Sequence, residues 1–210
     1  TFVLLDAVQY EKDYFQNRNQ IISNKESGRE WLTVPVKKGK YTDLICEKQI
    51  AFDKKTRNRY MQQVHRAYSS YPLYSDVIPP IADIINGEDL YLSNLNVKLI
   101  KYFFDLLDID CQLTTSSELG LGTSEPGGIV NYHICKELNA TTYLSGTSGK
   151  DYLDETVFLK NKIQIEYQKF NHPRYLQPGE GFVSNLSILD LVFSLPKEKA
   201  VETIKEGYEI

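Results

Sequence analysis

The stretch Tyr143-Leu-Ser-Gly-Thr-Ser-Gly-Lys-Asp-Tyr-Leu-Asp154 reads as a buried strand that breaks into a small-residue turn and opens a helix. In α/β proteins such junctions bind anions. Glycine and serine at Ser145, Gly146, Ser148 and Gly149 let the backbone turn sharply, and a helix start just beyond adds partial positive charge. The same residues also serve plain turn geometry and helix capping. The spacing matches neither the phosphate-loop nor the dinucleotide fingerprint, so the stretch offers a binding site without naming a reaction.

Alternation of strands and helices extends on both sides of it. Phe2 to Asp6 is an apolar run ending in a carboxylate, the pattern of a covered strand with a polar C-terminal end. Glu30 to Val36 and Leu44 to Ala51 carry strand character, with Pro35 marking an edge or exit, while Gln9 to Asn24 is polar and aromatic. From Lys54 the period becomes helical through Tyr60, Val64, Ala67 and Tyr68. A second helix follows Tyr71-Pro72, started or kinked by Pro79-Pro80, and a third is capped by Ser93 and carries Leu95 to Leu107.

Strand Cys111 to Thr115, helix Gly127 to Leu138, strand Thr141 to Leu144, helix Tyr152 to Lys160 and strand Ile163 to Phe170 then alternate. A short apolar helix follows at Ser187 to Phe193, behind the cap candidates Ser184 and Asn185. Glu198 to Glu206 makes a solvated last helix, which Gly207 ends. The expectation is one α/β domain over 1–210, with a mostly parallel sheet flanked by helices and a helical middle third at about 54–108. Phe2-Val-Leu-Leu opens on a core strand without an initiator Met, so upstream residues are expected.

A chain of 210 residues with 41% hydrophobic and 25% charged residues has the composition of an ordinary globular protein. Its net charge of −4 supplies no field to hold a polyphosphate backbone, which disfavours nucleic acid as partner. The basic runs Lys37-Lys38-Gly-Lys40 and Lys54-Lys55-Thr-Arg57-Asn-Arg59 are short and flanked by acids. Three cysteines, Cys46, Cys111 and Cys135, stand far apart in apolar settings, as expected for reduced thiols in a cytoplasmic protein. No metal-ligand spacing, membrane-length apolar run or secretory signal is seen. The 15 tyrosines suit surfaces that bind sugars, bases or proteins, though core packing also absorbs tyrosine.

In open α/β sheets ligands gather at the C-terminal strand ends. Asp6, Gln9 and Tyr10 follow the first strand, with Asn17-Arg18-Asn19 close behind, Arg18 being suited to a phosphate or carboxylate fork. Asp6 as a loop cap paired with Arg18 is the structural alternative. Thr115-Ser116-Ser117-Glu118 follows a later strand, where Glu118 is a candidate base or an ordinary turn acid. His172, after the strand ending at Phe170, can move a proton near neutral pH, whereas His65 and His133 read as structural. No Ser-His-Asp order or nucleophile elbow is evident.

Seven ordered blocks carry a family resemblance. They are Phe2-Val-Leu-Leu-Asp-Ala-Val-Gln-Tyr10, Asn17-Arg-Asn19, Trp31-Leu-Thr-Val-Pro-Val36, Ser116-Ser-Glu-Leu119, Thr142 to Asp154, His172-Pro-Arg-Tyr175 and Asn185-Leu-Ser-Ile-Leu-Asp190. Together they resemble the WbqC-like family of bacterial proteins, tied to O-antigen and surface-polysaccharide gene clusters. The resemblance implies transfer of an aminoacyl group such as glycine, or of an acyl group, onto the amine of a nucleotide-linked amino sugar. The sequence leaves the acyl donor open, with ATP and magnesium or an acyl-CoA as the candidates. Family members carry an upstream strand and a Gln-Pro…Pro-Trp-x-Gly-Tyr loop that this sequence lacks.

On this reading Ser145, Gly146, Ser148 and Gly149 bind an anion, while Asp6, Gln9 and Asp151 contact sugar or amine. Tyr10, Arg18 and Ser116 complete the substrate set, and His172 or Glu118 moves the proton. The loops after the first strand, after Thr115 and after Leu144 are expected to converge on one cleft. Strand, Pro- and Gly-containing loop, helix and a strand ending in Asp are also reminiscent of nucleotidyltransferase-like folds that activate carboxylic acids with ATP. A non-catalytic sugar- or partner-binding module of polysaccharide assembly is the rival from another class.

Overall fold

The computed structural model describes residues 1–122, 128–179 and 181–208. Its elements are β1 (Phe2–Leu4), β2 (Arg18–Ile22), β3 (Arg29–Thr33), α1 (Lys54–Tyr68), α2 (Tyr74–Asn86), α3 (Leu92–Leu106), β4 (Leu113–Thr115), α4 (Ile129–Glu137), β5 (Thr142–Ser145), α5 (Glu155–Lys160), β6 (Gln164–Tyr167), α6 (Ile188–Ser194) and α7 (Lys197–Glu206). The protein is α/β, with β1–β4 and β5–β6 parallel and β2–β3 an antiparallel hairpin. The helical middle third is the run α1, α2 and α3.

Contacts divide the chain into two compact units. The first comprises Thr1–Val8, Gln112–Asn171 and the chain end from Tyr208; the second comprises Gln9–Cys111 and His172–Gly207. In the first unit Cys135 of α4, Phe158 of α5 and Ile163 form a buried cluster, on which Tyr143 of β5 stacks with ring centroids 5.4 Å apart. Burial pushes the Cys135 thiol pKa up, so it packs as a small apolar group. In the second unit the hairpin buries Ile21 and Leu32 on one face. Val64 and Tyr68 of α1, Ile81 and Ile85 of α2, Leu92 and Leu95 of α3 and Phe193 of α6 are also buried.

Several expected boundaries shift for local reasons. Leu44 to Ala51 is not a strand: Glu47 accepts a hydrogen bond from the Leu44 amide at 3.0 Å and closes a 3-10 turn over Ile45–Glu47. The hairpin strand β2 lies where the sequence reads only as polar and aromatic, because of its five residues Ile21 alone is fully buried. α2 starts at Tyr74 and runs through Pro79 and Pro80, both exposed, so water can reach the carbonyls they leave free. Tyr91 rather than Ser93 holds the cap position of α3, and Ser93 is buried as the second residue of the helix. Ser187, not Ser184 or Asn185, caps α6. The Gly127 start expected for α4 falls outside the described residues. Gly207 does close α7, in a right-handed conformation.

The deciding stretch is corrected in detail. β5 is only half covered, with Leu144 61% exposed, and the turn after it is a 3-10 helix, Thr147–Asp151. The α-helix begins at Glu155 behind the cap Asp154, whose carboxylate accepts the Thr156 amide at 3.0 Å.

Candidate functional site

In the first unit the parallel register Phe2↔Leu113, Val3↔Thr114, Leu4↔Thr115 brings the C-terminal ends of β1 and β4 side by side. Asp6 and Ser116 meet there as the sequence implied. The Asp6 carboxylate is buried and accepts hydrogen bonds from the Ser117 amide at 2.9 Å, the Ser117 hydroxyl at 2.8 Å and the Ser116 hydroxyl at 3.3 Å. Ser116 Oγ in turn accepts from the Ala7 amide at 3.0 Å. Glu118 Oε2 accepts from Thr114 Oγ1 at 3.0 Å and the Thr115 amide at 3.1 Å, closing its own turn. This chemistry laces two strand ends together with charge-assisted bonds.

Ser145 ends β5 in the other parallel pair, and no strand ladder among the described residues joins that pair to β1–β4. Its hydroxyl is buried and donates to the Gly146 carbonyl at 3.1 Å. Gly149 is buried too: a Cβ built on it would lie 2.0 Å from Ser145 Oγ and 3.0 Å from Leu153 Cδ1. The glycine there admits the Ser145 hydroxyl. Gly146, Ser148 and Asp151 are exposed on the same turn, and Lys150 Nζ sits 5.0 Å over the Tyr167 ring.

Gln9, Tyr10, Arg18 and His172 belong to the second unit. Gln9 is exposed and bridges Leu44. Tyr10 lies under Lys48, whose Nζ is 5.0 Å over its ring and 3.0 Å from Asp43 Oδ2; burial first, then the charge of Asp13, raises the Tyr10 pKa. Arg18 pairs with Asp13 at 3.2 Å rather than with Asp6, and its guanidinium lies 4.0 Å over Trp31. His172 Nδ1 is 2.9 Å from the Pro173 carbonyl, and its ring is 6.3 Å from Tyr175 and 5.9 Å from Phe182.

The second unit also holds features the sequence reading missed. A cavity of about 470 Å³ is lined by residues that include Ser23, Lys25, Glu30, Arg66, Ser70 and Tyr71. Each oxygen of the Glu30 carboxylate takes one cation: Arg66 Nη2 at 2.8 Å on Oε1 and Lys25 Nζ at 3.0 Å on Oε2. Burial works to raise the Glu30 pKa, but hydrogen bonds from Arg66, Lys25 and Gln63 outweigh it and hold the carboxyl below its ordinary range. Lys25 and Arg66 remain 64% and 66% exposed and keep donors to spare, giving this wall a net charge of +1.

Tyr71, also part of the wall, donates at 3.1 Å to Oδ1 of Asp190, which is wholly buried. Tyr175 Oη and Gln177 Nε2 each donate to Asp190 Oδ2 at 2.8 Å. Burial raises the Asp190 pKa, opposed by these three donors and by the nearby charge of His172. Burial first, then the charge of Asp190, pushes Tyr71 and Tyr175 well above the usual phenol range, so both stay protonated donors. The sequence signal for this network was an acid inside the apolar run Ile188-Leu-Asp-Leu-Val-Phe193.

Among the described residues, no group of three or more His, Cys, Asp or Glu could hold a metal ion, and no helix is long and apolar enough to cross a membrane. No disulfide joins the cysteines.

The fold and these sites define an α/β protein of short parallel strand pairs with polar loops at the strand ends and a cation-walled cavity in its helical unit. The model of the WbqC-like protein family matches residues 1–202, and the chain belongs to that family. It is 31% identical over 201 residues to the uncharacterised protein Rv1507c of Mycobacterium tuberculosis, a match covering 94% of this chain and 84% of the relative. No solved structure matches it.

Proposed function

We propose that the protein joins an acyl or aminoacyl group to the amine of a nucleotide-linked amino sugar, a role suggested for the family. The observation that carries this reading is the Lys25–Glu30–Arg66 cavity wall. A volume of about 470 Å³ suits a small polar metabolite, and a wall of net charge +1 offers donors to a phosphate. Glu30, held ionised, also offers a negative partner to a protonated amine.

In the reaction the amine nitrogen attacks the acyl carbon, a C–N bond forms, the bond to the donor's thiol or phosphate breaks, and the amine gives up a proton. His172 is the ionisable residue of the expected set that lies beside the Asp190 network, and we assign it that proton. The test incubates the full chain with a dTDP-amino sugar, either with glycine, ATP and magnesium or with acetyl-CoA, and reads the product by mass. The expected result is an amide product, with turnover lost in Lys25→Ala and Arg66→Ala and with His172→Ala lowering kcat more than it raises KM. Sugar-nucleotide binding without product under any donor would instead favour a binding module, and neither binding nor product would remove the sugar-nucleotide reading altogether.

A further inference from the structure

In a chain where acids outnumber bases 28 to 24, the run from Lys54 to Ser75 holds Lys54, Lys55, Arg57, Arg59 and Arg66 and no Asp or Glu. Arg57 is half-buried and donates to the Gly87 carbonyl at 2.9 Å. The other four are exposed on α1, with Asn58 and Gln62 among them. Steps of four residues set Lys54, Asn58, Gln62 and Arg66 in one row along the helix, with Lys55 and Arg59 in the row beside it. Lys54, Lys55, Asn58, Arg59 and Gln62 line an open groove. Among the described residues Lys54, Lys55 and Arg59 enter no ion pair, and the adjoining acid, Asp53, is the helix cap, accepting the Thr56 amide at 2.7 Å. Helix stability asks for the reverse arrangement. Lys54 and Lys55 hold the first two positions, where the backbone dipole favours acids, and Lys55 and Arg59 repel one turn apart. Charge kept at a cost to its own helix points to a partner rather than to folding.

We propose that this face of α1 docks an acidic helix of a small carrier protein, which brings the acyl group as a thioester on a flexible arm. The donor role rests on the acyl-transfer reading, whereas the docking does not. Cations and amides at steps of about one helical turn match carboxylates spaced alike on a facing helix, and Asn58 and Gln62 each offer a donor and an acceptor between the charges. The row runs about 18 Å from Lys54 to Arg66. Arg66 also stands in the cavity wall, so a partner held along the row ends beside the cavity, where its arm delivers the thioester. A free acyl-CoA would use the cavity and leave the row idle. In the transfer the amine nitrogen attacks the thioester carbon, the C–N bond forms and the C–S bond breaks. The carrier's thiol leaves with the proton that the amine gives up. An anionic membrane fits less well, since the exposed residues of α1 include no apolar side chain to insert and the chain as a whole is negative. Four cations also fall short of the roughly six to ten phosphate contacts of a nucleic-acid site.

The probe is the apo carrier protein of bacterial fatty-acid synthesis, titrated into the full chain by calorimetry at low and at high salt. The expected result is one-to-one binding that salt weakens. Lys55→Glu combined with Arg59→Glu should weaken it roughly tenfold or more. Circular dichroism should stay that of the parent, because an acid at position 55 suits a helix start. Lys199→Glu combined with Lys205→Glu, exposed on α7, makes the same change in net charge and should leave binding as it was. The proposal is overturned if the carrier protein does not bind, or if the α7 pair weakens binding as much as the α1 pair. It is overturned equally if phosphatidylglycerol vesicles or polyuridylate bind the chain more tightly than the carrier protein and lose that binding in the α1 pair. With acetyl-loaded carrier and a dTDP-amino sugar, an amide product that the α1 pair no longer makes supports the donor role. Carrier binding without product under any donor removes the donor role together with acyl transfer, whereas product from acetyl-CoA without carrier binding overturns the docking and leaves acyl transfer standing.

Discussion

Replacing Gly149 by alanine tests why the deciding stretch carries a glycine where it does. The added methyl would sit 2.0 Å from Ser145 Oγ, 3.0 Å from Leu153 Cδ1 and 3.2 Å from Ser145 Cβ, so the hydroxyl or the 3-10 turn has to move. Overpacking of this kind costs about 1–3 kcal/mol, which for a chain of this size lowers Tm by roughly 2–12 °C. Ser145→Ala alone loses the bond to the Gly146 carbonyl, about 0.5–1.5 kcal/mol, and removes the atom in the way. In that background Gly149→Ala meets only the two contacts at 3.0 and 3.2 Å, and its cost should fall below about 1 kcal/mol. The double-mutant cycle should therefore show a favourable coupling of about 1 kcal/mol or more, read by denaturant unfolding and by amide exchange in β5 and α5. Additive effects, or a Gly149→Ala variant as stable as the parent, would refute the reasoning and return Gly149 to the role of clearing backbone for a ligand.

Asp6→Ala should destabilise the first unit by about 1–3 kcal/mol in urea unfolding, because it strands the buried Ser116 hydroxyl and removes the acceptor of the Ser117 amide and hydroxyl; a loss under about 0.5 kcal/mol would show that the carboxylate does not lace the strand ends. Tyr71→Phe, which deletes one of three donors to a buried carboxylate, should cost about 1.5–3 kcal/mol in the same assay, and an unchanged midpoint would contradict the network. Asp190 has a raised folded pKa, so its ionisation favours the unfolded chain: the stability it confers is full below the ordinary aspartate pKa and is lost as pH rises through the raised value. Wild-type stability relative to Asp190→Asn should therefore fall as pH rises across that window, and a flat difference would deny the shift. Glu30, conversely, should titrate below an ordinary glutamate by NMR and move upward in Arg66→Met, with no movement counting against the ion pair.

The fold was legible where burial leaves a periodic trace. Tyr60, Val64 and Tyr68 announced α1 because one face of that helix is apolar, and the run before Asp6 announced β1 because the strand is apolar along its length. β2 left no such trace: its outward residues Arg18 and Gln20 make their contacts with other side chains, which hydrophobic pattern does not record. Part of the candidate site was legible for a topological reason, since parallel pairing must bring the ends of β1 and β4 together and hence Asp6 to Ser116. Lys25, Glu30 and Arg66 were not, because they come from a turn, a strand and a helix with no common spacing, and only the fold assembles them. Gly149 shows the limit from the other side. A glycine in a polar loop looks the same whether it clears space for a ligand or for the hydroxyl of Ser145, and the 2.0 Å approach distinguishes the two.

The central claim is that the cavity walled by Lys25, Glu30 and Arg66 receives a nucleotide-linked amino sugar. Its most direct test is a crystal structure of the full chain with a dTDP-amino sugar. The account predicts phosphate density within hydrogen-bond distance of Lys25 Nζ and the Arg66 guanidinium, with the rest of the ligand in the cavity that Tyr71 helps to line. Ligand density against Gly146, Ser148 and Asp151 instead, with the cavity holding only solvent, would contradict it.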